Sequence, residues 1–373
     1  MLPDLAVLSQ AGLDALIKTL ISDGYKVIGP ALRDGAIRLA DIASAEGLAR
    51  GWVDHQEGGS YRLEPTDSDA YFSVVHGPDS AKQRLFPPTE TVFTVESGSP
   101  DRFVAADHSQ QPSAFIGLRP CDVAAVAVQD RVFLSGPYVD PAYAARRDTS
   151  LVIAVNCTRS VSSCFCTSIG TGPRAQTGFD LALTEVLDPT HQFLVEVGSE
   201  AGANLLDRLP ATAPSTDIEK AAEAAVGACA TSMTKHLDTT GIKELLYANL
   251  EHQQWDKVAE RCLTCGNCTL ACPTCFCSTP VDTSSLDGGT AERSRVWASC
   301  FSLDYSYMGG HPVRLRGASR YRQWMTHKLA TWIDQFGSSG CVGCGRCITW
   351  CPVGIDLTEE TKAIQTADVR TSA

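Results

Sequence analysis

The hydrophobic and polar positions of the first two hundred residues predict a few helices, one of them ending at Leu134, and many short strands. Residues 5–22 carry Leu, Ala and Ile at helical spacing before Asp23-Gly24, which predicts a surface helix ended by glycine. Short apolar runs bounded by turn residues predict strands, of which the first three indicate a small antiparallel sheet. The predicted strands cover residues 25–28, 36–42, 61–63, 91–96, 113–118, 151–155, 181–187 and 192–197.

The pattern becomes helical in the second half of the chain. An Ala-rich stretch over residues 218–237 and a stretch over 240–259 with apolar residues on one face each predict a long helix. We therefore predict an α+β protein. Its N-terminal α/β docking domain is expected over residues 1–235, and an α-helical domain is expected over residues 236–373.

Two segments have the composition of connections. Residues 82–90 are expected to form an extended linker, because the pair Pro87-Pro88 excludes a helix there. Residues 280–290, rich in Thr, Ser, Asp and Gly, are expected to be polar and flexible.

The helical domain contains two cysteine runs that match C-x₂-C-x₂-C-x₃-C-P at every fixed position. Their cysteines are Cys262, Cys265, Cys268 and Cys272 in the first run, and Cys341, Cys344, Cys347 and Cys351 in the second. This run is the ligand pattern of a [4Fe–4S] cluster. Gly266 and Gly345 permit the tight wrap that such a loop needs. The alternative is a structural zinc site, although zinc usually takes two separated cysteine pairs. The domain is thus predicted to be a two-[4Fe–4S] ferredoxin-like domain.

Two such runs in one chain predict an exchange of ligands. In two-cluster ferredoxins the fourth cysteine of each run binds the other cluster. Carried over to this chain, the first cluster takes Cys262, Cys265, Cys268 and Cys351, and the second takes Cys341, Cys344, Cys347 and Cys272. The two clusters would then lie side by side as steps of an electron path.

Four further cysteines follow two neighbouring predicted strands of the N-terminal part. They are Cys121, Cys157, Cys164 and Cys166. Strand ends that carry thiols into loops are expected at the carboxyl edge of an α/β sheet, and we predict a third [4Fe–4S] cluster there. The spacing fits no established cluster pattern, so small buried side chains or a zinc site stay open as alternatives.

Composition and charge narrow the function classes. The 373 residues carry a formal net charge of −12, which argues against binding to nucleic acid or to an anionic membrane. No apolar run approaches the length of a membrane span, and the chain starts without the pattern of a signal peptide. Sixteen cysteines in such a chain indicate metal binding in a reducing cytoplasm rather than disulfides.

Basic residues gather between the two cysteine runs, from Arg293 to Lys328. One interpretation is that they offset the negative charge of buried clusters; the other is an ordinary solvated helix face. Three cysteines in or beside this segment, Cys275, Cys277 and Cys300, have no role in the predicted sites.

Several motifs together resemble a known family. They are residues 85–90 (LFPPTE), 117–122 (GLRPCD), 164–173 (CFCTSIGTGP), 179–185 (FDLALTE), 272–277 (CPTCFC) and 319–324 (SRYRQW), the last leading to His327-Lys328. In combination with the two cysteine runs, they resemble the beta subunit of cytoplasmic NAD(P)-linked [NiFe] hydrogenases, or sulfhydrogenases, and are similar to the A subunit of anaerobic sulfite reductase. The resemblance covers residues 80 to 355 or so.

The resemblance implies an electron-transfer subunit with no catalytic residues of its own. Its partners would be a flavin-containing, NAD(P)-binding reductase subunit and the small and large [NiFe] hydrogenase subunits. The chain has no paired-cysteine nickel motif and no convincing nucleotide fingerprint, in keeping with that role. Alternatives are the iron–sulfur subunit of an anaerobic sulfite reductase and a free-standing dicluster ferredoxin or sensor. The large N-terminal part favours a subunit, because a free carrier needs no such docking surface.

Overall fold

The computed structural model describes residues 5–98, 103–108 and 111–371, with side chains as far as residue 367. The strands are β1 (Leu5–Ser9), β2 (Lys26–Arg33), β3 (Ala36–Asp41), β4 (Trp52–Glu57), β5 (Ser60–Pro65), β6 (Thr89–Glu96), β7 (Phe103–Ala105), β8 (Ser113–Leu118), β9 (Ser150–Val155), β10 (Leu181–Val186), β11 (Gln192–Val197), β12 (Ser278–Ser284), β13 (Thr290–Trp297), β14 (Tyr307–Met308) and β15 (His311–Pro312).

The helices are mostly short. They are α1 (Gln10–Ser22), α2 (Lys82–Leu85), α3 (Pro120–Phe133), α4 (Pro141–Asp148), α5 (Cys166–Ile169), α6 (Glu200–Leu206), α7 (Thr216–Ser232), α8 (Ile242–Ala248), α9 (Gln254–Arg261), α10 (Asn267–Leu270), α11 (Gly317–Thr326), α12 (Trp332–Phe336), α13 (Arg346–Thr349) and α14 (Leu357–Thr371). A π-helical turn, His327–Thr331, joins α11 to α12.

A seven-stranded sheet forms the centre of the N-terminal part, in the order β1-β11-β10-β9-β8-β2-β3. The four inner strands β10, β9, β8 and β2 are parallel, and the edge pairs are antiparallel. All six residues of β10 are buried, which fits a parallel strand covered on both faces. The core against one face includes Leu13, Leu16, Ile17 and Leu20 of α1. A mixed helix-and-sheet architecture is therefore confirmed.

A second, antiparallel sheet joins the two halves of the sequence. Its order is β12-β13-β6-β7, so a hairpin from between the cysteine runs pairs with strands from before residue 110. The pairing aligns Thr290 with Glu96 and contains a bulge between Arg293 and Ser294. The proposed division after residue 235 stays a prediction, and strand pairing crosses it.

Several predicted elements differ from the structure for local reasons. Residues 5–9 form strand β1 rather than helix, because they pair with β11; Ser9 then caps α1 by accepting a hydrogen bond from Gly12 N at 3.2 Å. The expected linker at 82–90 begins with one helical turn, α2, since the prolines exclude helix only after it.

The part after residue 235 is not helical throughout, contrary to the prediction. The helix expected over 240–259 is two helices, α8 and α9. The polar stretch 280–290 lies within the hairpin β12–β13, where pairing with β6 supplies the backbone partners that its own sequence pattern did not indicate. Among the described residues, no helix is both long and apolar enough to cross a membrane.

Candidate iron–sulfur centre

The first three cysteines of the first run and the last two cysteines of the second run line one pocket. Helix α9 ends at Arg261 and delivers the chain into the loop, and Gly266, with φ +78°, starts helix α10. The pocket is lined by Cys262, Leu263, Cys265, Gly266, Asn267, Cys268, Phe301, Tyr321, Trp324, Cys347, Cys351, Pro352, Val353 and Ile355. The four cysteines predicted to share the first cluster thus lie around one largely apolar space.

Two polar side chains of this pocket support a fit to an iron–sulfur cluster. Tyr321 and Trp324 are buried, with 3% and 4% exposure. The Tyr321 hydroxyl and the Trp324 Nε1–H have no hydrogen-bond partner within the described chain. Buried donors normally have a partner, and the sulfur atoms of a bound cluster would supply acceptors. The donors and the four thiols therefore suit a [4Fe–4S] cluster, which carries one electron at a time.

The second group consists of Cys272, Cys341, Cys344 and Cys347. Burial raises the pKa of the Cys347 thiol, and the neighbouring thiols of Cys341, Cys344 and Cys272 raise it further. The same neighbours affect Cys341 and Cys344. The structure therefore brings together the set that ligand exchange predicts.

The two cysteine loops have the same backbone geometry. Thr264 and Gly343, each two residues after the first cysteine of a run, have φ of +51° and +65°. Their backbone N–H groups donate to Cys262 Sγ and Cys341 Sγ, both at 3.4 Å. Such N–H···S bonds orient the thiol and stabilise negative charge on sulfur. The repeat in sequence is thus a repeat in structure.

Lysine 328 is the charged group in contact with the second cysteine group. The π-helical turn places its buried Nζ 3.2 Å from Cys272 Sγ, 3.7 Å from Cys275 Sγ and 3.2 Å from Thr274 Oγ1. Burial acts to lower the pKa of Lys328, but the thiols of Cys272 and Cys275 outweigh it and raise that pKa well above its usual value. π-Helical turns are frequent at functional sites, and this one supplies a cation.

The second run lies directly on the loop that carries two cysteines of the N-terminal part. Phe165 N donates to Gly343 O at 2.9 Å, and a Cβ added to Gly343 would stand 2.5 Å from Cys166 Cα. A Cβ on Gly345 would stand 2.2 Å from Ser163 O. Side chains at these two positions would force the loops apart. The glycines of the second run are therefore required by this contact as well as by their positive φ.

The cysteines of the predicted third site lie beside that contact, together with a further cysteine, Cys229. Burial is the largest cause of the raised pKa of the Cys166 thiol, and the neighbouring thiols of Cys157, Cys164 and Cys229 raise that pKa further. Cys121 is buried in one cluster with Cys166 and Cys344. Cys229, on helix α7, was missed because an isolated cysteine in an Ala-rich helix has no spacing signal. Met233 Sδ lies 3.8 Å from Cys166 Sγ.

Comparison with known proteins identifies the family. The family described as "4Fe-4S dicluster domain" matches residues 261–355, which confirms the predicted dicluster domain. The chain is 33% identical over 244 residues to sulfhydrogenase 2 subunit beta of Pyrococcus furiosus, covering 64% of this chain and 70% of that one. The chain belongs to the sulfhydrogenase beta-subunit family. The resemblance drawn from the motifs is confirmed.

Acidic residues of the family motifs act as buried structural anchors. Glu185 accepts hydrogen bonds from Tyr71 N at 2.7 Å and Phe72 N at 2.9 Å. Glu90 pairs with Arg146 and Arg295, which ties α4 and β13 to the start of β6. Each anchor joins segments that are far apart in sequence. These motifs of the sulfhydrogenase beta-subunit family therefore stabilise the structure around the cysteines.

Most of the basic residues between the runs do not face cysteines. Arg293 pairs with Asp282, and Arg316 pairs with Asp256, all at the surface. Lys328 does contact Cys272, and the charges of Arg320 and Arg314 act to lower the pKa of Cys262 and of Cys300, respectively. The interpretation that this whole segment offsets cluster charge is therefore wrong for the arginines that pair with carboxylates.

The thiol groups are not arranged as mononuclear metal sites. Among the described residues there is no set of three or more His, Cys, Asp or Glu side chains spaced to hold a single ion. A four-iron cube binds its ligands at separate corners and so requires a wider arrangement than one ion.

Proposed function

We propose that this chain is the electron-transfer subunit of a soluble NAD(P)-linked [NiFe] hydrogenase complex. It would relay electrons through [4Fe–4S] clusters between a flavin-containing, NAD(P)-binding subunit and the small and large hydrogenase subunits, in the cytoplasm. The observation that carries the proposal is the pocket that Cys262, Cys265, Cys268 and Cys351 line together, with Cys347 of the second group at its wall. Membership of the sulfhydrogenase beta-subunit family supports the choice of complex.

The ligand sets of the two clusters follow from the grouping. The first cluster would be held by Cys262, Cys265, Cys268 and Cys351, and the second by Cys272, Cys341, Cys344 and Cys347. Because each run contributes to both, the clusters would be neighbours, which favours transfer of single electrons between them. Buried donors at Tyr321 and Trp324 and the ammonium of Lys328 would set the potentials, since hydrogen bonds to sulfur and local charge tune such clusters.

A third cluster in the N-terminal part extends the proposed path. Its ligands would come from Cys121, Cys157, Cys164 and Cys166, with Cys229 as an additional candidate. Support comes from their common burial beside Cys344 of the second run. A cluster there would lie next to the second cluster, so the path would run through three sites.

The proposal is tested by interrupting the path in the native complex. Cys265 is the most exposed ligand of the first run, so Cys265→Ser should perturb the fold least. Hydrogen-driven reduction of NAD(P)⁺ should fall to the background level, because electrons no longer reach the flavin subunit. Hydrogen oxidation with an artificial dye that accepts electrons near the nickel subunits should continue.

The control is Ser285→Ala at the exposed turn between β12 and β13, which should leave both reactions unchanged. Undiminished reduction of NAD(P)⁺ in the Cys265 variant would refute a path through the first cluster. If the native chain purifies with a sirohaem subunit and without nickel, the complex is a sulfite reductase and the hydrogenase proposal is wrong.

A further inference from the structure

Three cysteines that belong to neither run line a cavity of their own. Cys275, Cys277 and Cys300 face a space of about 480 Å³ that is distinct from the pocket of the first run. Its other lining residues are Thr274, Phe276, Tyr305, Gln323, Trp324, His327, Lys328, Trp332, Gln335 and Phe336. None of the sites in the proposed function uses these three thiols.

The hairpin β12–β13 explains why residues so far apart in sequence meet here. Cys275 and Cys277 come directly before β12, and Cys300 comes shortly after β13. Ser278 pairs with Trp297 at the base of the hairpin, and Ala298 N donates to Cys277 O at 2.9 Å. Antiparallel pairing thus returns the chain to its starting point and places Cys300 beside Cys277.

The three thiols lie within each other's electrostatic reach. Burial raises the pKa of Cys300 to about 12, and the largest contribution from another thiol comes from Cys277. Cys277 likewise contributes to the raised pKa of Cys275. Lys328 Nζ, 3.7 Å from Cys275 Sγ, provides a buried positive charge that would offset thiolates.

The site also lies beside both groups of the cysteine runs. Lys328 Nζ contacts both Cys275 Sγ at 3.7 Å and Cys272 Sγ of the second group at 3.2 Å, and Cys300 raises the pKa of Cys268 of the first group. Trp324, whose Nε1–H has no partner in the described chain, lines both this cavity and the first pocket. A redox group here would be next to both proposed clusters.

We propose that Cys275, Cys277 and Cys300 bind an additional [4Fe–4S] cluster through three of its irons. Thiolates suit zinc as well as iron–sulfur clusters, but the size of the cavity favours the larger group. The described lining of the cavity contains no fourth cysteine, so the fourth iron of such a cluster would have no thiolate ligand from it. The inference adds a site and does not depend on which complex the chain belongs to.

Metal analysis of the full-length chain tests the site. Wild type and the Cys275→Ser/Cys277→Ser/Cys300→Ser variant are reconstituted anaerobically, and iron, sulfide and zinc are measured per chain. The variant should lose about four irons and four sulfides, the content of one cluster. The control is Ser285→Ala at the exposed turn between β12 and β13, which should keep the iron and sulfide content of wild type.

A second measurement uses the open fourth position. A cluster with three cysteines readily gives up its fourth iron, so mild oxidation of wild type should produce the electron paramagnetic resonance signal of a three-iron cluster. That signal should persist in the Ser285→Ala variant and be absent from the Cys275/Cys277/Cys300 variant. The single variant Cys277→Ser, at a half-buried position, covers the case in which the triple variant does not fold, and it should also lack the signal.

Several outcomes would overturn the site. Unchanged iron in a folded triple variant, loss of one zinc without iron, or a three-iron signal retained after Cys277→Ser would each do so. Failure of the electron path at Cys265 would leave the four-iron difference intact, so the two proposals are separable.

Discussion

At the scale of single residues, Lys328 has the most direct means of adjusting a cluster. Its Nζ donates one hydrogen bond to Cys272 Sγ at 3.2 Å and another to Gly340 O at 3.3 Å. The Cys272 thiol has its pKa held well below its usual value by the hydrogen bond with Cys275 and by the Lys328 charge. An ammonium in this position favours the more negative, reduced state of a cluster bound through Cys272.

Replacing Lys328 by methionine should therefore lower the reduction potential of the second cluster. A hydrogen bond to a charged group is worth about 1.5–3 kcal/mol, which corresponds to roughly 60–130 mV for a one-electron couple. Redox titration followed by electron paramagnetic resonance measures the shift. The same substitution at Lys18, an exposed residue of α1, should shift neither cluster. A second-cluster potential unchanged by Lys328→Met would show that Cys272 does not bind it.

At the scale of elements, the two cysteine loops are a structural repeat that exchanges its last ligand. In each loop a residue of positive φ donates its N–H to the first cysteine, and the chain continues into a one-turn helix, α10 or α13, with glycine at its N-cap. The fourth cysteines, Cys272 and Cys351, follow those helices. Ile355 N also donates to Cys351 Sγ at 3.3 Å, so this ligand is oriented from the C-terminal side.

Ligand exchange predicts that Cys351→Ala affects the two clusters unequally. Because Cys351 lines the pocket of the first run, the variant should lose or convert the cluster of Cys262, Cys265 and Cys268 while the second cluster persists. Spectra that resolve the two clusters provide the measurement. The reciprocal variant Cys272→Ala should show the opposite selectivity, and loss of the same cluster in both variants would disprove the exchange.

At the scale of the whole molecule, a buried ion pair fastens the second run to the N-terminal part. Arg346 donates to Asp122 Oδ1 at 2.7 Å and Oδ2 at 3.1 Å, and both side chains are at most 4% exposed. Arg346 also donates to Gly77 O at 2.9 Å. His76 Nε2 lies 2.6 Å from Cys344 O. These contacts hold the cysteines of both parts in one frame.

Removing one partner of this pair should destabilise the protein strongly. Asp122→Ala leaves the Arg346 charge buried without its carboxylate, and such a change costs about 3–5 kcal/mol. Denaturant unfolding monitored together with cluster absorbance should show the loss. The control Asp282→Ala breaks an exposed pair with Arg293 and should leave the free energy of unfolding almost unchanged, because solvent screens such a pair. Equal effects of the two variants would mean that the buried pair contributes no special stability.

Local sequence by itself determined much of this protein. The strands at 113–118 and 192–197 were predicted with the bounds that they have, because buried strands are continuous apolar runs that need no distant information. The two cysteine runs predicted the dicluster domain, since the fixed spacing of such a run is a cluster-ligand pattern that can be read without distant information.

Tertiary structure decided what depends on distant partners. Strand β1 exists because β11 pairs with it, and the polar hairpin β12–β13 is completed by β6 from nearly two hundred residues earlier. Only packing and strand register place Cys229 beside the third group and Cys300 beside Cys277. Chain reversal brings such residues together at separations that have no fixed spacing, so no local pattern could reveal them.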